Sequence, residues 1–189
     1  LIPPLAEASP DAILLMLTNP VDVLTWHAIR LSGFAPERVM GTGTLVDSAR
    51  FREMLSAQIG IHPADIRVYA LGEHGDSQFL AFSHATAGGE PVEDNAERRE
   101  MFAQATRAGY EVFNKKGCTN YAIAMAAAYV IETIRRDARH TMPLSVLVDG
   151  YQGVSGVCLS LPVVVGRGGI VRWMNPQLNE QESAAFQQS

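Results

Sequence analysis

The sequence predicts an α/β protein in which a parallel strand–helix–strand unit leads into a mixed α+β region closed by an antiparallel sheet. Three patterns carry that expectation: a short apolar run ahead of Asn19-Pro20, two segments of helical periodicity that each end at a glycine, and two late β-rich runs punctuated by Gly150, Gly153 and Gly156. The change of pattern divides the chain into residues 1–43 and residues 44–189.

The elements follow in order. The chain opens on Leu-Ile-Pro-Pro without an initiator Met, as if entered part-way through a helix. Ala12 to Thr18 is continuously apolar until its last residue, which is the pattern of a strand buried on both faces of a parallel sheet, and Pro20 stops it. From Val21 to Leu31, apolar residues at 21, 24, 28 and 31 recur at helical intervals before Ser32-Gly33. Arg38 to Met40 is a second short strand, and the connection between the two strands is the right-handed crossover of a doubly wound sheet. Leu45 to Ile59 is a strongly helical pattern with Gly60 as its stop. Ile66 to Leu71 and Phe79 to Thr86 read as strands separated by a Gly72-Glu-His-Gly-Asp76 turn. A helical region from Glu97 to Arg139 breaks near Lys116-Gly117, and Leu144 to Val148 and Val157 to Val165 form the antiparallel pair.

Composition excludes several classes. A chain of 189 residues with 47% hydrophobic content is neither disordered nor fibrous. Fifteen basic against twenty acidic residues give a net charge of −5, which offers no footprint for nucleic acid. The longest apolar run, Tyr121 to Ile131, is too short to cross a bilayer, and no charged leader precedes an apolar stretch at the start. The two cysteines, Cys118 and Cys158, lack the spacing of a zinc site or redox pair and read as buried free thiols, which suits a soluble protein of the reducing cytoplasm.

Few residues suggest chemistry on local grounds. Gly41-x-Gly43 stands where a dinucleotide fingerprint would, between a strand and a helix, but Val46 occupies the third glycine position; a tight turn explains both glycines better than phosphate binding. His74 lies between glycines in a turn, and an imidazole there could exchange protons near neutral pH. By local spacing alone a turn histidine without chemistry accounts for it better, and a metal site with Asp76 lacks a second histidine. Asp47 and Arg50, three apart at the start of a helix, share one face. They are either a solvated ion pair or a carboxylate that orients a histidine beside a guanidinium that grips an anion.

Four motifs change that weighing: Thr18-Asn-Pro-Val-Asp22, Gly41-Thr-Gly-Thr-Leu-Val-Asp-Ser-Ala-Arg-Phe-Arg52, Leu71-Gly-Glu-His-Gly-Asp-Ser77 and Lys116-Gly-Cys-Thr-Asn-Tyr-Ala122. In this order and spacing the chain resembles the L-lactate dehydrogenases of the lactate/malate dehydrogenase superfamily over essentially its whole length. The resemblance implies the last part of a Rossmann-type NAD-binding sheet in residues 1–43 and an α+β catalytic domain in residues 44–189. It also implies interconversion of pyruvate and L-lactate, with hydride transfer to and from NAD. His74 would be the acid/base, Asp47 would orient its ring, and Arg50 would clamp the substrate carboxylate through two hydrogen bonds. Asn19 would touch the substrate oxygen and the nicotinamide side of the cofactor, and Thr119 would line the pocket near the substrate methyl group.

The segments around His74, Gly41 to Thr44 and Thr119 follow the lactate rather than the malate pattern; malate or a broader set of 2-hydroxy acids is the alternative. Bacterial members hold fructose bisphosphate between subunits with an arginine and a histidine; Arg52 matches the first position and Arg67 stands at the second, where an arginine pair could hold a phosphate, against the alternative of two solvated arginines. Homologues form dimers or tetramers, and the Ala-rich stretch Ala122 to Ala128 would suit packing within or between subunits. The family's Gly-rich phosphate turn, ribose-binding acid and loop arginine would all precede residue 1. The resemblance thus implies a longer chain, and an inactive fragment or oligomerisation module is the remaining alternative.

Overall fold

Prolines and glycines set many of the boundaries in the computed structural model, which describes residues 1–189. The elements in order are α1 (Ile2–Ala8), β1 (Leu14–Met16), α2 (Val21–Ser32), β2 (Val39–Gly41), α3 (Leu45–Ile59), β3 (Ile66–Arg67), β4 (Ala70–Leu71), β5 (Phe79–Leu80), β6 (Thr86–Ala87), β7 (Glu90–Pro91), α4 (Ala96–Lys116), α5 (Tyr121–Arg136), β8 (Thr141–Tyr151), β9 (Val154–Gly166), β10 (Gly169–Trp173) and α6 (Glu180–Gln188). Helices α2, α3 and α4 each end on a glycine in the left-handed conformation, Gly33, Gly60 and Gly117, where a residue with a Cβ would be strained.

One mixed sheet of order β1-β2-β8-β9-β10 forms the centre. Strands β1 and β2 run parallel, joined through α2, and β2 meets β8 in antiparallel sense at Gly41 and Ser145. Strands β8 and β9 form a long hairpin whose two-residue turn, Gln152-Gly153, has positive φ at both positions, the backbone that a right-twisted hairpin requires. The main core lies on this sheet, with Met40, Leu144, Leu161, Val163 and Phe186 buried together. A second core packs Phe51 and Leu55 of α3 against Ile66, Val68 and Leu80, and Phe82 and Phe102 meet the Phe51 ring edge-on.

Several expectations need correction. The run from Ala12 to Thr18 yields only a three-residue strand, half-buried rather than buried on both faces, because β1 is the sheet's edge and pairs with β2 alone. The two strands expected over 66–71 and 79–86 are each interrupted. Val68 and Tyr69 separate β3 from β4, and a single turn of 3-10 helix at Phe82–His84 separates β5 from β6, so the pieces enter two small antiparallel sheets. Cys118 is exposed, because it follows Gly117 in the α4–α5 connection; Cys158 is buried as expected. The alanine stretch on α5 buries only Ala126 and Ala127. Strand β10 and helix α6 were not anticipated.

No helix is long and apolar enough to cross a membrane.

Candidate functional site

The site is assembled where the start of α3 meets the β4–β5 turn. Two hydroxyls at the start of α3 clasp a single residue of β4 through both of its backbone groups. Thr44 Oγ1 donates to the Ala70 carbonyl at 2.6 Å, and the Ala70 N–H donates to Ser48 Oγ at 2.9 Å, with both side chains fully buried. Because these residues lie on the first turns of α3, the clasp fixes how Asp47 and Arg50 face the chain that follows β4. Beyond it, Gly72 exchanges both backbone hydrogen bonds with Ser160 of β9, at 3.1 and 2.8 Å. Ser160 also uses its hydroxyl to accept the Thr44 N–H at 3.1 Å. One residue of the central sheet therefore holds α3 and the turn together.

Held in this way, His74 brings Nδ1 to 2.9 Å from Asp47 Oδ2, and Arg50 Nη1 lies 3.4 Å from the other oxygen, Asp47 Oδ1. The Asp47 side chain is only 4% exposed, whereas His74 is 27% exposed and Arg50 25%. The buried carboxylate thus faces an imidazole and a guanidinium that each keep one side toward solvent. The imidazole approach is close but off the line of a well-directed hydrogen bond, and neither Nδ1 nor Oδ2 has an aligned partner elsewhere. Burial works against the imidazolium, but the bond and charge of Asp47, aided by the charge of Asp22, outweigh it. His74 is held above its ordinary value despite the opposing charge of Arg50.

Two further side chains reach the same turn. Asp22, in the first turn of α2, accepts the His74 N–H on Oδ2 at 2.7 Å, and Ser189, just past α6, accepts the Glu73 N–H on Oγ at 2.6 Å. Burial raises the Asp22 carboxyl above its usual range, with Ser145 and the His74 amide pulling it part of the way back. Sequence reasoning assigned no part to either residue. Asp22 stood inside the quoted Asn-Pro-Val-Asp motif, whereas nothing near Ser189 marked it.

The other expected site residues are more dispersed. Asn19 is exposed just beyond the carboxyl end of β1, three residues before Asp22. Thr119 is exposed in the α4–α5 connection and makes no hydrogen bond to His74, Asp47 or Arg50. Gly109 of α4 presents bare backbone to Arg50, where an added Cβ would lie 3.4 Å from Nη1. The glycines Gly41 and Gly43 are consumed by packing. A Cβ on Gly41 would fall 2.4 Å from Thr25 Oγ1, and one on Gly43 would fall 2.4 Å from Ser160 Oγ.

Arg52 and Arg67 lie apart from this centre, on an open cavity of about 1110 Å³ that also receives Arg139, His140 and Arg172. His74 does not line it. Burial lowers the Arg52 guanidinium, partly offset by Tyr69 and Tyr129, while Arg67 is exposed and ties Nη1 to the Ala64 carbonyl at 2.6 Å. No group of three or more His, Cys, Asp or Glu side chains is placed to hold a metal ion.

A histidine backed by a buried carboxylate can exchange a proton, and a guanidinium one helical turn along can hold an anion. The family model for the lactate/malate dehydrogenase α/β C-terminal domain matches residues 44–189, and the chain belongs to that family. Among its relatives, an L-lactate dehydrogenase of Synechococcus sp. is 38% identical over all of this chain and 64% of its own length. One of Thermoanaerobacter sp. is 41% identical, over 98% of this chain and 63% of its own. One of Streptococcus gordonii is 42% identical, over 95% and 57%. The chain spans about three fifths of the length of these relatives.

Proposed function

We propose that this chain carries the catalytic residues of an NAD-dependent L-lactate dehydrogenase that interconverts pyruvate and L-lactate. The observation that carries the reading is the 2.9 Å approach of His74 Nδ1 to the buried Asp47 carboxylate, with Arg50 on the same face of α3. The names of the relatives point to the same oxidoreductase activity and substrate pair.

In this mechanism Asp47 engages Nδ1, which leaves Nε2 to exchange a proton with the substrate oxygen. His74 enters pyruvate reduction as imidazolium, the form its two neighbouring carboxylates favour, donates the proton to the carbonyl oxygen and ends neutral. Lactate oxidation reverses this. Arg50 fixes the substrate by its carboxylate, and its 3.4 Å distance from Asp47 keeps the fork oriented without tying up all five of its donors. Thr119 is assigned to the pocket near the substrate methyl group.

Asn19 fits a role toward substrate and cofactor. Its exposed amide offers a donor and an acceptor at the carboxyl end of a parallel strand, the edge at which nucleotides bind in such sheets. NAD supplies hydride chemistry when bound. Gly41 and Gly43 contribute no phosphate cradle, since their open faces are filled by Thr25, Ser145 and Ser160. Residues 1–43 are read as the end of the nucleotide-binding domain and residues 44–189 as the catalytic domain. Two wider assignments accompany this reading: assembly as a homodimer or homotetramer in the cytoplasm, and activation by fructose bisphosphate at Arg52 and Arg67. Four arginines around one open cavity support the second. Pyruvate saturation curves that coincide with and without the sugar phosphate would remove it.

The test is pyruvate-dependent oxidation of NADH by the full-length enzyme, followed by its absorbance, with oxaloacetate as the competing substrate. His74→Asn should lower kcat by about a hundredfold or more. Near-normal turnover refutes the assignment, and a higher kcat/KM for oxaloacetate replaces lactate with malate.

A further inference from the structure

The turn that carries His74 has little sheet of its own. Strands β4 and β5 pair over two residues each, Ala70 with Leu80 and Leu71 with Phe79, and the chain from Gly72 to Gln78 then leaves the ladder. Gly72 is fastened to Ser160, but the next two amides, of Glu73 and His74, have no strand to pair with. Both are taken by side-chain oxygens from elements remote in sequence: Ser189 Oγ accepts the first at 2.6 Å and Asp22 Oδ2 the second at 2.7 Å.

Each acceptor is supported in a way that a chance surface contact is not. Asp22 is 8% exposed, Oδ1 has no aligned hydrogen bond, and the carboxyl that is costly to bury is favoured in its charged form by Ser145 and by the His74 amide that Oδ2 accepts. Ser189 reaches Glu73 only because Gly72 has no side chain. Gly72 sits at φ +88°, and a Cβ there would lie 2.3 Å from Ser189 Oγ. Ser77 completes the cluster, with its hydroxyl 3.2 Å from Ser189 Oγ and donating to Glu73 Oε2 at 2.5 Å. Two bonds to successive amides hold the peptides on both sides of Glu73 and so fix the height and direction of the chain as it enters His74. Those are the coordinates that decide whether Nδ1 meets Asp47.

We propose that Asp22 and Ser189 are positioning residues for His74, which clamp the two successive peptides that flank Glu73 and lead into His74, and so hold the imidazole against Asp47. Their catalytic relevance rests on the lactate dehydrogenase reading above. The charged groups facing the imidazole are Asp47 and Arg50 from α3 and Asp22 from α2. Loss of Asp22 therefore removes both a fastening and a negative charge, whereas loss of Ser189 removes a fastening only.

The test uses the full-length enzyme with Ser189→Ala, Ser189→Thr, Asp22→Ala and Asp22→Asn, reading kcat, KM for pyruvate, NADH affinity by fluorescence and the NMR titration of the His74 ring. Ser189→Ala and Asp22→Ala are expected to lower kcat by about tenfold, with NADH affinity changed less than about twofold, because a displaced proton donor is penalised in the reaction rather than in cofactor binding. Ser189→Thr keeps the hydroxyl and should restore most of kcat. Asp22→Asn keeps an acceptor and should retain most of kcat at acid pH while moving the His74 midpoint down. Should Asp22→Ala fail to fold, Asp22→Asn and Ser189→Ala still decide the matter. Values of kcat within about twofold of the parent together with an unmoved His74 midpoint would overturn the proposal. If the parent enzyme does not reduce pyruvate, the functional reading fails alone. The ring titration then still judges the clamp, by a changed midpoint in the variants or by its absence.

Discussion

Gly43 separates two accounts of the Gly41-x-Gly43 turn. Gly43 has φ +46°, and a Cβ placed there would fall 2.4 Å from Ser160 Oγ, 2.6 Å from the Ser145 backbone nitrogen and 3.1 Å from the Leu144 carbonyl carbon. The hydroxyl could rotate away, but the two backbone atoms belong to β8 in the middle of the central sheet and cannot. Gly43→Ala therefore combines a left-handed residue with a Cβ, about 1–2 kcal/mol, with overpacking of about 1–3 kcal/mol. The expected loss is about 2–5 kcal/mol, a large part of the stability of an ordinary domain. Urea unfolding followed by circular dichroism would show a lower midpoint with an unchanged slope. NADH affinity of the protein that remains folded would stay within about twofold of the parent. If instead stability changes by less than about 0.5 kcal/mol while NADH affinity collapses, the glycine serves a phosphate and the packing argument is wrong.

Three further outcomes follow from the site and its surroundings. Because the folded His74 is held above its ordinary 6.5, its stabilising contribution is present in full below about pH 6.5 and fades as pH rises through the higher native value. His74→Gln should flatten that part of the stability profile, and in the parent enzyme KM for pyruvate should rise over the same interval. A flat KM from pH 6 to 9 would contradict the imidazolium role. Arg50→Lys should raise KM for pyruvate by about tenfold or more through loss of the guanidinium fork, with NADH affinity nearly unchanged; equal loss of both would indicate misfolding. Of the two thiols, the exposed Cys118 should react with a disulfide reagent in the native protein. Cys158, pushed up to about 12 by burial with help from the Asp22 charge, should react only on unfolding, and equal rates would refute this.

What the sequence revealed of the fold depended on the range over which each element is determined. Helix α3 was read from Leu45 to Ile59 with both ends correct, because its periodicity and its Gly60 stop are local. The short strands were overextended, because their ends are set by partners far away: β1 stops where β2 stops, and β4 ends where β5 leaves it. Helix α6 carries a local signal of its own. Asn179 and Glu182 form a reciprocal capping box, and Glu182 extends it by accepting the Ser83 N–H at 2.9 Å.

The candidate site divides along the same line. The spacing of Asp47 and Arg50 places them on one helical face, so their pairing was legible from the residues alone. The meeting of His74 with Asp47 was not, and only the resemblance supplied it, since nothing between residues 47 and 74 dictates how the β4–β5 turn folds back. Asp22 and Ser189 are harder still, for a general reason. A salt bridge leaves complementary residue types at both ends, and a reader can look for the pair. A side chain that binds a backbone amide leaves a trace at one end only, because every residue except proline offers the same N–H. At the Glu73–His74 peptide the one indirect trace is Gly72, whose missing side chain makes room for Ser189. Gly72→Ala should push Ser189 off the Glu73 amide and reproduce the kinetic defect of Ser189→Ala, with added strain from its φ of +88°. A Gly72→Ala enzyme with parental kcat would mean that the amide of Glu73 does not need Ser189, and the clamp would lose half its basis.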